Sequence, residues 1–83
     1  MIMRYVMKLT PQEKVVMSYV VLGLSDKEIS QKMKIKYSTV RTYVDRAILK
    51  IGGRNRTNAA FKFLILQSPD VYLQTIETLQ EVL

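Results

Sequence analysis

Apolar residues recur three and four positions apart along most of this chain, and short polar breaks divide the pattern into segments of helical length. Two of the breaks carry a helix-start signal: residues 10–13 read TPQE and residues 25–28 read SDKE. In each, a hydroxyl and a glutamate can satisfy free amides of a first helical turn. We therefore predict a first helix from Pro11 to about Leu22, ended by Gly23, and a second helix from Asp26 to Met33.

The second half of the chain predicts three further helices. The third runs from Tyr37 to about Ile51, where two glycines break the pattern. Asn55 is the expected cap of a fourth helix that reaches about Gln67. In residues 68–70 (SPD), Ser68 is the expected cap of a fifth helix, which has Pro69 at its first position and reaches Val82. Residues 2–7 fit either an extended segment or a longer first helix. Because no segment shows a convincing strand alternation, the predicted fold class is all-α.

The second and third predicted helices are separated by only about three residues. Val40, Val44 and Ile48 mark the core side of the third helix, and its opposite face is basic and hydroxylated. This is the layout of a helix-turn-helix, whose second helix enters the major groove of DNA, although periodicity alone fits a plain three-helix bundle equally well. Arginine can bond guanine edges, threonine can touch a thymine methyl and aspartate can accept from cytosine N4. The residues on that face are Ser38, Arg41, Thr42, Asp45 and Arg46.

Basic residues are concentrated in the same region. The chain carries 13 Lys and Arg against 7 Asp and Glu, a net charge of +6. Residues 27–56 hold nine basic and two acidic residues, a balance of +7, whereas residues 68–83 hold three acidic and no basic residues, a balance of −3. Such a distribution favours a polyanionic partner, with a solvated basic face as the alternative. The longest apolar run, residues 15–24, is too short to span a bilayer, so we expect nucleic acid rather than a membrane as partner of a cytoplasmic protein.

The composition closes most routes to catalysis. The 83 residues make one domain and include no cysteine and no histidine. Disulfides, thiolate nucleophiles, cysteine-bound zinc and serine–histidine–acid triads are therefore excluded. No acid pair or nucleophile–base set stands out in the sequence. We expect neither an enzyme nor a bound cofactor or metal.

Five short motifs connect these elements to a known family. They read LTPxE at 9–13, GxSxKEI at 23–29, IxxxTVR at 35–41, KIG at 50–52 and RTxAA at 56–60. In register and without a gap from about Leu9 to Leu66, they resemble the LuxR/GerE helix-turn-helix domain. The resemblance implies a LuxR-type four-helix bundle, here with an additional C-terminal helix. It also implies binding of double-stranded operator DNA as a homodimer, in which the third helix reads the major groove and the fourth supplies the usual dimer contact.

The resemblance divides the chain into an N-terminal extension (1–8), the helix-turn-helix domain (9–67) and a C-terminal helix (68–83) that is a candidate dimerisation element. Full-length members of the family often carry a sensing or receiver domain ahead of this module. Only eight residues precede Leu9 in this chain. We therefore expect a stand-alone regulator of the GerE kind, or a fragment.

The resemblance also assigns roles to single residues. Arg41, Thr42 and Asp45 fall at base-reading positions, and Asp45 either meets a cytosine amine or pairs with Arg41 one turn back. Lys36 stands where the family usually has a serine cap, and its ammonium can reach phosphate instead. Arg46, on the same outer face, is a further candidate for a phosphate contact. The other backbone contacts that the resemblance implies are Lys27, Ser38, Thr39, Arg54 and Arg56.

Dimerisation is expected through the C-terminal half. Apolar residues of the fifth helix are spaced four, three and four apart, as in a short coiled-coil seam, and the fourth helix is apolar almost all round. The alternative is that the fifth helix folds back within one chain, over the fourth helix or over the apolar stripe of Val15, Tyr19 and Leu22. The expected dimer residues are Phe61, Ile65, Tyr72, Ile76, Leu79 and Leu83.

Two other functions stay open from the sequence. Region four of sigma factors has a similar helix-turn-helix, and residues 43–47 (YVDRA) resemble it, but the RTxAA motif favours the LuxR pattern. An antagonist with the same fold would instead bind RNA polymerase or another regulator through the apolar C-terminal helices. Salt-sensitive DNA binding would separate such an antagonist from a DNA-binding regulator.

Overall fold

The computed structural model describes residues 9–67 and 69–82, and within the last helix it describes the side chains at 70, 73, 74 and 77–80. The described residues form helices and no strand, which confirms the all-α class. The predicted helix bounds agree with the structure except that the first helix ends one residue earlier. Residues 2–7 and the predicted start signal at Ser68 lie outside the described residues. The helices are α1 (Pro11–Val21), α2 (Asp26–Met33), α3 (Tyr37–Ile51), α4 (Arg56–Gln67) and α5 (Pro69–Val82).

Local hydrogen bonds fix where the helices begin. At the start of α1 the Thr10 hydroxyl accepts from the Glu13 amide at 3.1 Å, and a Glu13 carboxylate oxygen accepts from the Thr10 amide at 2.9 Å. Ser25 and Glu28 repeat this exchange at the start of α2, at 3.2 and 2.9 Å. The Asn55 side chain accepts from the amide three residues onward at 2.8 Å and so caps α4. Each such cap contributes about 1 kcal/mol to helix stability.

Left-handed residues follow the first three helices. Gly23 (φ 88°) lies after α1 and Gly52 (φ 78°) after α3, as predicted, while Lys34 (φ 56°) ends α2. Gly53 meets a different requirement, since a Cβ there would lie 2.6 Å from the Cβ of Ala59. The loop after α3 can therefore lie directly on α4 only because residue 53 has no side chain.

Helix α3 is covered on one side by three other helices. Helix α1 packs against α3 and α4, α2 packs against α3, and α3 also contacts α4. Burying a Val, Ile or Met side chain contributes about 1.5–3 kcal/mol, so this shared face is where the domain gains most of its stability. Its consequence for function is that the other side of α3 faces solvent. The buried apolar side chains are Leu9, Val16, Met17, Val20, Ile29, Val40, Val44, Ala47, Ile51, Ala59 and Phe63.

Helix α5 packs mainly against α4, while Val15 of α1 and Leu22 just after it, both part of the predicted apolar stripe, stay exposed. Leu73 and Leu79 of α5 remain about half exposed, Phe61 on α4 is also exposed and Ile65 is partly buried. No helix within residues 9–67 and 69–82 is long and apolar enough to cross a bilayer. Dimerisation through α4 and α5 stays a prediction. The remaining predicted seam residues, which lie outside the described side chains, are Tyr72, Ile76 and Leu83.

Candidate nucleic-acid interface

The turn between α2 and α3 is three residues long and is held by backbone hydrogen bonds. The amides of Lys34 and Ile35 both donate to the Ser30 carbonyl, the second at 3.1 Å, and Ile35 is partly buried against the core. Because the turn is tied to α2 at one end and to the core at the other, it sets the orientation of α3 relative to α2. The two helices therefore form the helix-turn-helix that the sequence predicts.

The start of α3 has no side-chain cap. Lys36 occupies the cap position in an extended conformation, and its side chain makes no capping hydrogen bond. Its carbonyl accepts from the amides of Thr39 and Val40 at 3.0 and 3.1 Å, which closes the first turn. The leading amides of α3 thus receive no side-chain oxygen, and an uncapped helix start of this kind suits a phosphate oxygen.

The outer face of α3 carries the side chains that the sequence predicts for base reading. Arg41, Thr42 and Asp45 are all exposed, and Thr39 beside them is partly buried. The Thr42 hydroxyl donates to the Ser38 carbonyl at 3.0 Å, which holds this side chain in one orientation and leaves its methyl group for an apolar contact. The fold thus gathers the three predicted base-reading residues on one surface, while the core residues of α3 point the other way.

Arg41 is not free on this surface. Its Nη1 donates to Oδ2 of Asp26 at 2.9 Å, and its Nη2 lies 3.7 Å from Oδ1 of Asp45, while the side chain as a whole is 48% exposed. The structure therefore shows the pairing of Asp45 with Arg41 that is one of the two predicted alternatives for Asp45.

Asp26 joins three helices through one buried carboxylate. It lies in the first turn of α2, is 7% exposed, and accepts from Arg41 of α3 and from Arg56 of α4. Arg56 also donates its Nη2 to the Leu24 carbonyl at 3.0 Å. Burial raises the pKa of Asp26, but the hydrogen bonds and charges of the two guanidinium groups outweigh it and hold that pKa below its ordinary value. Asp26 is therefore a carboxylate at neutral pH. We call Asp26, Arg41, Asp45 and Arg56 the Asp26 cluster.

Sequence reasoning missed Asp26 because its position in a capping box already explained it. A second signal was present: Asp26 precedes Ile29 by three residues and Met33 by seven, which places all three on the core side of α2. An acid on a buried helix face needs a cationic partner. That requirement predicts that some of the arginines in the basic region form ion pairs within the protein and do not serve DNA binding alone.

A second buried carboxylate joins α1 to the end of α3. Glu13 is 1% exposed and accepts from the Lys50 ammonium at 2.7 Å, in addition to its bond with the Thr10 amide. Burial raises the pKa of Glu13, and the bonds from Lys50 and Thr10 more than offset this and lower it. Lys50, one of the nine basic residues of the central region, thus has a partner within the core-facing side of the domain.

Other cations of the central region face solvent. Their side chains make no ion pair within the part of the chain that the structure describes, so their charges are available to an external anion. Arg56, by contrast, already uses both terminal nitrogens within the domain: Nη1 donates to the Asp26 carboxylate and Nη2 donates to the Leu24 carbonyl. Exposed cations around a helix that fits the DNA major groove attract a polyanion and raise its local concentration. Those among the predicted phosphate contacts are Lys27, Lys36, Arg46 and Arg54.

The sequence of the chain matches a known protein family. Residues 7–63 match the family model "GerE: Bacterial regulatory proteins, luxR family". The chain is 38% identical over 56 residues to the "Probable HTH-type transcriptional regulator GfsR" of Streptomyces halstedii, a match that covers 68% of this chain and 23% of that protein. It is also 38% identical over 52 residues to the "DNA-binding transcriptional activator DevR/DosR" of Mycobacterium tuberculosis, covering 63% of this chain and 24% of that protein.

A third relative is also named as a transcriptional regulator. The "Probable transcriptional regulator ycf29" of Pyropia yezoensis is 42% identical over 50 residues, which cover 60% of this chain and 22% of that protein. The chain thus matches about a quarter of the length of these relatives. No solved structure shows a significant match to the chain. The matched region contains α1 to α3 and most of α4, and so includes the whole Asp26 cluster.

Proposed function

We propose that this chain, which belongs to the luxR family of bacterial regulatory proteins, is a transcriptional regulator that binds specific sequences in double-stranded DNA by placing α3 in the major groove. The observation that carries the proposal is the outer face of α3, where Arg41, Thr42 and Asp45 lie together and are exposed. The family and the three matched relatives are named as regulators and not as enzymes, and α2 and α3 form the helix-turn-helix on which such recognition depends.

The base-reading roles follow from the chemistry of the outer face. Arg41 presents donors that suit the O6 and N7 atoms of guanine, and the methyl group of Thr42 suits that of thymine. Asp45 carries a negative charge toward DNA, which is tolerable because it lies beside the Arg41 guanidinium. We assign to these three residues the direct reading of sequence.

The phosphate contacts surround that face. Lys27 lies in the first turn of α2, Lys36 precedes α3, and both are exposed, as are Arg46 and Arg54. Ser38 and Thr39, in the uncapped first turn of α3, can bond the same phosphate that meets the helix start. The phosphate contact expected of Arg56 stays a prediction. We assign to Arg56 mainly a structural role, in which its bonds to Asp26 and to the Leu24 carbonyl connect α4 to α2 and the residues before it.

The assignments of Arg41 and Lys27 predict different losses on substitution. Arg41→Ala should weaken binding to a duplex that the wild-type chain selects from a random library by about 1–3 kcal/mol more than binding to a random duplex, because it removes a base contact. Lys27→Ala should weaken both duplexes about equally, because a phosphate contact carries no sequence information. Fluorescence titration of each variant against both duplexes provides the measurement. Equal losses on the two duplexes for Arg41→Ala would reduce Arg41 to a phosphate contact.

We further assign a homodimer, formed through the exposed apolar side chains of α4 and α5. Phe61, Leu64, Leu73 and Leu79 are exposed large apolar residues on these two helices. A two-fold dimer would present two copies of α3 to half-sites about one helical turn apart. A cytoplasmic location belongs to the same proposal.

The dimer predicts a specific effect of charge on α5. At about 50 μM, wild-type chain should sediment as a dimer and a Leu73→Asp, Leu79→Asp double variant as a monomer of unchanged helicity, because both side chains are about half exposed within one chain. Gln74→Asp, a charge at an exposed position of the same helix, is the control and should remain dimeric. A monomeric wild type would contradict the dimer, and a double variant that unfolds would show that the two side chains stabilise the fold of the single chain instead.

A further inference from the structure

Asp26 is a fixed hydrogen-bond acceptor directly behind the recognition surface. Its backbone belongs to the first turn of α2, and one carboxylate oxygen accepts from Arg56, which is itself bonded to the Leu24 carbonyl. The other oxygen accepts from Nη1 of Arg41 at 2.9 Å. Because Arg56 anchors the carboxylate from α4, its position does not depend on Arg41.

Arg41 keeps donors available while it is held by Asp26. A guanidinium has five N–H donors, and Asp26 engages Nη1 only, while Nη2 lies 3.7 Å from the Asp45 carboxylate, beyond hydrogen-bond distance. The Arg41 side chain is still about half exposed. An arginine fixed in this way loses less conformational freedom on meeting a base than one that moves freely in solvent.

We propose that Asp26 is a positioning residue for DNA recognition: by bonding Nη1 of Arg41 it fixes the guanidinium over the outer face of α3, so that the remaining donors meet a guanine edge at one position of the binding site. The inference rests on the proposed function, because it specifies how the same surface discriminates between bases. Asp26 is too buried to reach DNA itself, so its influence on recognition passes through Arg41.

A double-mutant cycle on DNA affinity tests the coupling between the two residues. The probes are the duplex that the wild-type chain selects from a random library and a random duplex of equal length. Asp26→Asn should lower affinity for the selected duplex about tenfold or more, the scale of one lost bidentate contact, with little change on the random duplex. In an Arg41→Ala background, the same Asp26→Asn change should have no further effect on either duplex.

Two results would overturn the assignment of Asp26. An equal loss from Asp26→Asn with and without Arg41 would show that Asp26 acts on the fold alone. A gain in affinity for both duplexes would show that Asp26 competes with DNA for Arg41 instead of presenting it. Failure of the wild type to enrich any duplex would overturn the proposed function and this inference together, whereas additivity in the cycle overturns the inference alone.

A second variant keeps the test decisive if Asp26→Asn does not fold, which circular dichroism would reveal. Arg41→Lys retains the charge but lacks the planar fork that can bond an acid and a base edge at once. It should lose discrimination between the two duplexes to the same extent as Arg41→Ala, while Asp26 stays paired with Arg56. Retained discrimination in Arg41→Lys would overturn the positioning role.

Discussion

The affinity of this chain for duplex DNA should fall about 10³- to 10⁵-fold between about 50 and 200 mM salt, the range expected when six to ten phosphates are neutralised. The reason is the set of exposed cations that make no ion pair within residues 9–67 and 69–82. Lys27, Lys36, Arg46 and Arg54 provide four such charges in each chain and eight in the proposed dimer. Each phosphate contact contributes about −0.9 to the slope of log affinity against log salt, so the dimer should show a slope of about −7.

Variants locate the source of that slope. Lys27→Ala combined with Lys36→Ala should make the slope shallower by about 1.8 for each chain bound. Lys14→Ala is the matched control, because Lys14 is an exposed lysine of α1, the helix that covers the opposite side of α3. Titrations at four or more salt concentrations would measure the slopes. A wild-type slope near about −1 would contradict docking of α3 in the groove and favour an antagonist that binds a protein instead.

Lys50→Ala is expected to lower the free energy of unfolding by about 1–3 kcal/mol, because it removes the lysine partner of a buried carboxylate while the Lys50 side chain itself is 32% exposed. Glu13 is almost fully buried, and without Lys50 its charge would keep only the bonds at the start of α1. Small domains have about 5–15 kcal/mol of stability in all, so the loss would take a large share of it. Urea unfolding followed by circular dichroism at neutral pH is the appropriate measurement.

The pH dependence of this loss identifies its cause. The bonds from Lys50 and Thr10 lower the pKa of Glu13 in the folded state, so the stability they provide is present above the ordinary pKa of 4.5 and disappears as the pH falls through the folded-state value. The difference between wild type and Lys50→Ala should therefore shrink in acid. Lys14→Ala, an exposed substitution on α1, should change stability by less than about 0.5 kcal/mol. Equal stability of the Lys50 and Lys14 variants at pH 7 would contradict the role of the pair.

The helix bounds were predictable because the signals that set them are local. The two capping boxes, the Asn55 cap and the left-handed Gly23 and Gly52 each act within a few residues of themselves. The outer face of α3 was predictable for a related reason: a period of 3.6 residues separates Arg41 and Asp45 from Val40 and Val44 without any knowledge of the neighbouring helices.

The electrostatics were less predictable because the partners lie far apart in the sequence. Asp26 and Arg56 are 30 residues apart, and Glu13 and Lys50 are 37 apart. No periodicity within one helix brings such pairs together, because the first pair joins α2 to α4 and the second joins α1 to α3. Charge counting placed Arg41, Lys50 and Arg56 together in the basic region expected to face a polyanion, whereas each of them also forms an ion pair inside the domain.

These same pairs determine how much of the chain can be transplanted as a working module. An excised segment of α2 and α3 would carry Asp26 without Arg56 and Lys50 without Glu13, so each would lose an ion-pair partner that the intact domain supplies. Grafting this recognition helix onto another scaffold therefore requires all of α1 to α4, or a host that provides its own cation beside α2 and its own acid beside the end of α3.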